Sequence, residues 1–182
     1  MPGTERSALI VTDMLNPYDH DDADALAESA AAIVGPLAEL IGRAGEADEI
    51  EVVYVNDNHG DYAVSREQLV ERALGGRHPE LVEPIVPADR HDLLIKPRHS
   101  AFYGTPLEHL LRERGVERVI LTGQVTEQCV LYTALDAYVR RLTVRVVTDG
   151  VAHIDRELSD AALRMMERNM RAELVTAAGC FG

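Results

Sequence analysis

The residues best suited to chemistry in this chain are one thiol and two charged side chains, each placed where a strand ends. Cys129 lies in TGQVTEQCVLYTALDAYV, residues 122–139, directly after ERVILT, a β-rich run that reads as a buried strand. Beyond it, Val130, Ala134 and Tyr138, and Leu131, Leu135 and Val139, recur at helical spacing. The pattern puts Cys129 in the first turn of a helix, where unpaired N–H groups and the positive end of the macrodipole favour an anion. A free thiol ionises near pH ~8.5, and this position is expected to lower that value toward neutrality. The competing reading is a small buried hydrophobe, so partners elsewhere in the chain must decide.

Two partners stand at other strand ends. SALIVTD, residues 7–13, finishes a buried-strand pattern with the carboxylate of Asp13, and DLLIKP, residues 92–97, finishes another with the ammonium of Lys96. Ligands of an open parallel sheet bind outside the carboxyl ends of its strands, so Asp13, Lys96 and Cys129 share one rim. A carboxylate can accept a thiol proton, and a lysine can stabilise the resulting anions. Each residue alone reads equally well as a polar strand end; their complementary chemistry favours a site.

The chain resembles the isochorismatase-like cysteine hydrolases, the superfamily of nicotinamidases, N-carbamoyl-amide hydrolases and isochorismatases. The matching segments are ALIVTDMLNPY (8–18), IKPRHSAFYGTPLEHLL (95–111) and VILTGQVTEQCVLYTALDAYVRRLTVRVVTDGVA (119–152). The resemblance implies that Asp13 is the general base and later acid, Lys96 its charged partner and Cys129 the nucleophile. It also implies a cis peptide between Gln124 and Val125, with the N–H groups of Val125 and Cys129 forming an oxyanion hole. Asn16 follows the first catalytic position as a loop-ordering residue and, with Asp57, His59, Phe102 and Tyr103, is a candidate for the substrate pocket; Ser100 belongs to the same loop as the last two. Asp57 and His59 match the first two metal-binding positions of nicotinamidases. The residues that follow are Ser65 and His78, and a serine cannot replace a strong imidazole ligand, so no metal or other cofactor is expected. The resemblance further implies a small-molecule substrate and a homo-oligomer.

Retention of Cys129 points to attack on an amide-like carbonyl, because cleavage of a vinyl ether by protonation needs an acid and no thiol. The leading expectation is a cysteine-dependent amidohydrolase cleaving a small amide or N-carbamoyl C–N bond through a thioester. Its alternatives are an isochorismatase-type vinyl-ether hydrolase, a nicotinamidase, a redox-sensing thiol protein and a non-catalytic module.

The elements that must position these residues alternate as strands and helices, the pattern of an α/β, doubly wound, mostly parallel six-stranded sheet with helices on both faces, in a single domain over 1–182. Strands are expected near 8–13, 50–55, 92–96, 118–122, 143–148 and 173–176. Helices are expected over 23–44, with Pro36 kinking or dividing it, and over 105–114, 127–141 and 157–170. TPLE, residues 105–108, reads as a capping box with Thr105 as N-cap and Glu108 reaching back, and Gly115 suits the position just past that helix. Residues 56–91, rich in glycine and proline, are expected to form an irregular lid or subunit-contact loop. The acidic run 19–24 lacks the spacing of a calcium loop and reads as a solvated turn. A formal charge of −13 argues against a nucleic-acid or anionic-membrane partner. No run of 18 apolar residues and no leader pattern appears, so no membrane span is expected. With two cysteines, the second being Cys180 in the C-terminal tail, a disulfide framework is not expected and a reducing cytoplasm fits best.

Overall fold

The computed structural model describes residues 5–181. Six parallel strands, β1 (Ser7–Thr12), β2 (Ile50–Asp57), β3 (Asp92–Lys96), β4 (Arg118–Gln124), β5 (Thr143–Ala152) and β6 (Glu173–Val175), form one sheet in the order β3-β2-β1-β4-β5-β6. Five α-helices connect or flank them: α1 (Ala23–Ala44), α2 (Arg66–Leu74), α3 (Leu107–Glu113), α4 (Leu131–Val139) and α5 (Arg156–Met170). Central strands buried on both faces explain the near-continuous apolar runs of the sequence: every residue of β1 is buried. Alternate residues of β1 feed two cores. Leu9 and Val11 pack with α1, and Ala8 and Ile10 pack with α3, α4 and α5.

Helix α1 is the one helix among the described residues long and apolar enough to cross a bilayer by composition. Here it buries a stripe that includes Leu26, Ala30, Ile33, Leu37 and Leu40 against the sheet and exposes Asp24, Glu28, Glu39 and Arg43. Of the two expected outcomes at Pro36, division does not occur: the helix runs through it. Proline in a helix loses an N–H bond and crowds the carbonyl four residues back, and it also clashes with the Cβ of the residue before it; that last clash is absent because the residue is Gly35, which lies exposed.

Residues 56–91 are more ordered than expected. Ser65 accepts a hydrogen bond from the Gln68 N–H while the Gln68 side chain accepts one from Ser65 N–H, a capping box that starts α2. The box expected at 105–108 forms only in part: Thr105 Oγ1 accepts the Leu107 N–H at 3.3 Å while donating to the Ala101 carbonyl, but Glu108 turns outward to Arg112 and Arg140. Glu108 has stronger partners there than the backbone N–H it was expected to reach. Gly115 does follow α3 with a left-handed φ of 65°.

The 66–91 segment is fastened by the guanidinium of Arg66, which donates to the carbonyls of Pro87, Ala88 and His91. His91 itself is buried, stacked on Tyr54 at 5.8 Å, with neither ring nitrogen hydrogen-bonded. Burial, then the cations Arg90 and Arg66, lower its pKa against a smaller opposing effect of Asp92. A proton therefore binds the unfolded chain more tightly than the folded one. The stability this contributes is complete above the unfolded value of about 6.5 and is lost as the pH falls through the lower folded value. Thermal melts of wild type should drop between pH 7 and 5 more steeply than those of His91→Phe, which keeps the stacked ring without the titration; parallel curves would refute this assignment.

Candidate active site

Strand order reverses between β1 and β4: the chain winds outward to β2 and β3 on one side, then to β5 and β6 on the other. The two connections leave in opposite directions there and open a crevice at the carboxyl ends, the position where such sheets bind ligands. Asp13 follows β1, and Cys129 sits in a five-residue π-turn, Thr126–Val130, between β4 and α4. Lys96 ends β3, two strand spacings or about 10 Å from β1, a gap that its long side chain spans behind Asp57.

Two backbone features bring the strand ends close. Gly123 has a φ of 98°, and a Cβ there would lie 2.0 Å from the Thr12 carbonyl oxygen, so only glycine lets β4 pass β1 at this point. Asp13 has a φ of 53°, a left-handed conformation that aspartate tolerates, while its N–H still reaches the Val55 carbonyl at 3.1 Å. The following peptide, Gln124–Val125, is cis, as the resemblance implied.

Asp13, Lys96 and Cys129 meet. The Lys96 ammonium, fully buried, lies 2.8 Å from Oδ2 of Asp13, 3.7 Å from Sγ of Cys129 and 3.6 Å from Oδ2 of Asp57. Asp13 Oδ1 accepts the Asp57 N–H at 2.7 Å. Burial alone would discharge Lys96, but Asp13, Cys129 and Asp57 together outweigh it and hold the ammonium above its usual pKa.

The sign at the thiol differs from the sequence expectation. Burial first, then the Asp13 carboxylate, push the Cys129 pKa up; Lys96 and the Val125 N–H oppose this without overcoming it. Burial and the neighbouring carboxylate thus favour the protonated thiol, and a thiolate would form by passing its proton to Asp13. That transfer moves a negative charge from oxygen to sulfur while both stay within reach of the same ammonium, so Lys96 limits its cost. Cys180 is also unlike its expected place in a tail. It is fully buried in the core under β5, where Arg145 holds its carbonyl, and burial raises its thiol pKa.

Several supporting side-chain contacts escaped the sequence reading. Gln124, 1 % exposed, donates from Nε2 to the Asp13 carbonyl at 2.8 Å and accepts from the Tyr18 hydroxyl at 3.3 Å. Asn56 clamps Leu15 from both sides, accepting its N–H at 2.9 Å and donating to its carbonyl at 3.2 Å. Thr126 donates to the Ala152 carbonyl, and Glu127 Oε1 accepts the N–H groups of Ile154 and Asp155, which pins the π-turn to the end of β5. Residue type alone does not reveal these roles, because the contacts are long-range and to backbone.

The expected pocket residues divide. Asn16 is buried and its Oδ1 accepts the Tyr18 N–H at 2.7 Å, which orders the 14–18 loop. Asp57 and His59 lie at the rim, with Asp57 Oδ1 accepting the His59 N–H and the His59 ring on the Leu15 carbonyl. Phe102 is a core residue instead of a pocket wall: it is 7 % exposed and packs under Arg140, eleven residues beyond Cys129, because the 99–103 loop runs along α4 through the contacts Ser100–Asp136 and Ala101–Thr133. Tyr103 stands exposed next to it. The metal ligands of nicotinamidases do not fit this chain. Ser65 caps α2, His78 pairs with Glu80, and among the described residues no three His, Cys, Asp or Glu side chains group as a metal site.

A parallel α/β sheet with a carboxylate, a lysine and a cysteine at its switch point defines a class of hydrolase-like folds, and comparison with known proteins specifies it. The isochorismatase domain model matches residues 7–179. An uncharacterised isochorismatase family protein of Bacillus subtilis, YaaI, is 35 % identical over 169 residues, 93 % of each chain. The ureidoacrylate amidohydrolase RutB of Methylorubrum extorquens is 31 % identical over 90 % of this chain and 77 % of its own. Among solved structures, the N-carbamoylsarcosine amidase of Thermoplasma acidophilum superposes with a TM-score of 0.75 at 31 % identity, covering 97 % of this chain and 99 % of that one. The chain belongs to the isochorismatase family.

Proposed function

We propose that this isochorismatase-family hydrolase cleaves the C–N bond of a small amide or N-carbamoyl compound, with Cys129 as covalent nucleophile. The observation that carries this reading is the single buried ammonium of Lys96, 2.8 Å from the Asp13 carboxylate and 3.7 Å from the Cys129 sulfur. Asp13 takes the thiol proton as Sγ attacks the carbonyl carbon. The carbonyl oxygen becomes an oxyanion held by the N–H groups of Val125 and Cys129, donors each typically worth ~3 kcal/mol to such a transition state. The tetrahedral adduct collapses, the C–N bond breaks, and Asp13 returns its proton to the leaving nitrogen, which departs as ammonia or an amine. Water then attacks the thioester, losing a proton to Asp13, and collapse frees the acid and restores the thiol. Lys96 stays charged throughout, beside whichever partner carries the negative charge. The names of the amidohydrolase and amidase relatives support the amide class.

The test is ammonia release from a panel of small primary amides, ureas and N-carbamoyl compounds. Turnover of at least one is expected, and it should persist after extended dialysis against EDTA because the residues present do not complete a metal site. Silence across the panel at high enzyme concentration would sink the amide reading; activity lost with chelator and regained with Zn²⁺ or Mn²⁺ would return Asp57 and His59 to a metal role.

A further inference from the structure

The backbone of Asp13 is held as firmly as its carboxylate. The residue stands at a φ of 53°, a left-handed conformation that persists only where its surroundings enforce it. Its N–H donates to the Val55 carbonyl at 3.1 Å, and its own carbonyl accepts from Nε2 of Gln124 at 2.8 Å. A carbonyl can only accept, so this contact fixes which end of the Gln124 amide faces Asp13 and turns Oε1 toward the Tyr18 hydroxyl, 3.3 Å away. Both side chains are buried, Gln124 at 1 % exposure and Tyr18 at 0 %. Tyr18 is set in turn by residues 76–78. The Arg77 N–H reaches the Pro17 carbonyl at 2.9 Å, the Arg77 guanidinium donates to the Tyr18 carbonyl at 3.3 Å, and the His78 ring meets the Tyr18 ring edge-on. A Cβ on Gly76 would lie 2.4 Å from the Pro17 carbonyl oxygen, so a glycine is what lets this segment come so close.

We infer that Gln124 is a positioning residue of the reaction: braced by Tyr18, it holds Asp13 in the backbone conformation that sets the carboxylate against the Lys96 ammonium. The inference rests on the proposed reading in which Asp13 moves the proton. The Gln124 amide is engaged at both ends by Asp13 and Tyr18, so its influence on the chemistry runs through Asp13. Without that amide the Asp13 carbonyl loses its partner, the left-handed φ relaxes, and the carboxylate shifts from its place 2.8 Å from the ammonium. A displacement of about 1 Å in such a site costs about 10²-fold in rate.

The test is steady-state kinetics of Gln124→Met, Tyr18→Phe and Gln124→Glu on an amide that wild type turns over. Gln124→Met, similar in size but without the amide, should lower kcat by about 10- to 100-fold and leave KM within about twofold. Tyr18→Phe keeps the ring and drops one neutral hydrogen bond, so its kcat should fall by less than about tenfold. Gln124→Glu supplies a readout that a packing role would not give. The introduced carboxyl is buried against a carbonyl oxygen, which raises its pKa above the ordinary value of about 4.3 and into a working range of about pH 5.5 to 8.5. Protonated, it donates to Asp13 as the amide did; ionised, it presents a negative oxygen to that carbonyl. The ratio of its kcat to that of wild type should therefore approach one at the acid end and fall about tenfold or more toward the alkaline end. This ratio decides the matter even if Gln124→Met proves too unstable to assay. A kcat of Gln124→Met equal to wild type, a loss confined to KM, or a Gln124→Glu ratio that does not move with pH would overturn the inference. Cys129→Ala assayed alongside keeps the two readings apart. An active Cys129→Ala with an impaired Gln124→Met would remove the covalent reading and leave Gln124 as the brace of Asp13. An inactive Cys129→Ala beside a Gln124→Met like wild type would keep the covalent reading and remove the brace.

Discussion

Cys129→Ala is expected to lose turnover of any amide substrate by roughly 10⁴–10⁶-fold, the scale on which covalent nucleophiles matter, while its melting temperature stays near that of wild type. The fold should tolerate the change because one sulfur atom leaves a site only 8 % exposed and the Asp13–Lys96 pair beside it remains intact. The size of the effect follows from the geometry. Cys129 is the thiol beside the Lys96 ammonium, 3.7 Å away, whereas Cys180 lies buried in the core under β5. A vinyl-ether hydrolase built on the same residues would use Asp13 as acid and hardly notice the loss of the thiol, so the variant separates the two chemistries in one assay.

Asp13→Asn should cut turnover by ~10²–10⁴-fold or more, since no base then accepts the thiol proton and no acid serves the leaving nitrogen. A second consequence is thermodynamic. Lys96 is fully buried, and without Asp13 its nearest carboxylate is Asp57 at 3.6 Å, itself partly exposed. Removing one partner of a buried ion pair costs about 3–5 kcal/mol; with Asp57 left to help, the lower end applies, measurable as a fall in the urea midpoint. Replacing the cation as well, in Asp13→Asn/Lys96→Met, should recover much of the stability and none of the activity. Such recovery separates the two duties of the pair, and a double variant as unstable as Asp13→Asn would show that the lost stability has another origin.

The strand ends were legible because a parallel sheet buries its strands on both faces and leaves polar residues where they emerge; Asp13, Lys96 and the turn of Cys129 all stand at such exits. The order of the elements and the alternating pattern sufficed for the fold class. What the sequence concealed were balances decided by neighbours. Gly35 lets Pro36 sit inside α1, and a proline read alone signals a break. The capping box at Ser65–Gln68 has the same form as TPLE, yet the second stays incomplete because Arg112 and Arg140 compete for Glu108. Helix α2 was hidden by the glycines and prolines around it. The charge state of the thiol was misjudged most instructively: a helix start favours an anion, but burial and the charge of the neighbouring Asp13 carboxylate are larger effects at this site. Phe102 could have faced the pocket or the core by its position in the loop, and Arg140, distant in sequence, decides for the core.

The central claim is that Cys129 becomes covalently acylated, and the mass of the protein during turnover tests it most directly. With a substrate found in the ammonia screen, wild type quenched in acid should carry the mass of the acyl group, mapped by digestion to the peptide containing Cys129, and Asp13→Asn should accumulate far less of it. Steady turnover with no adduct at any quench time, together with a Cys129→Ala variant that keeps most of its activity, would contradict the covalent route and leave acid catalysis by Asp13 in its place.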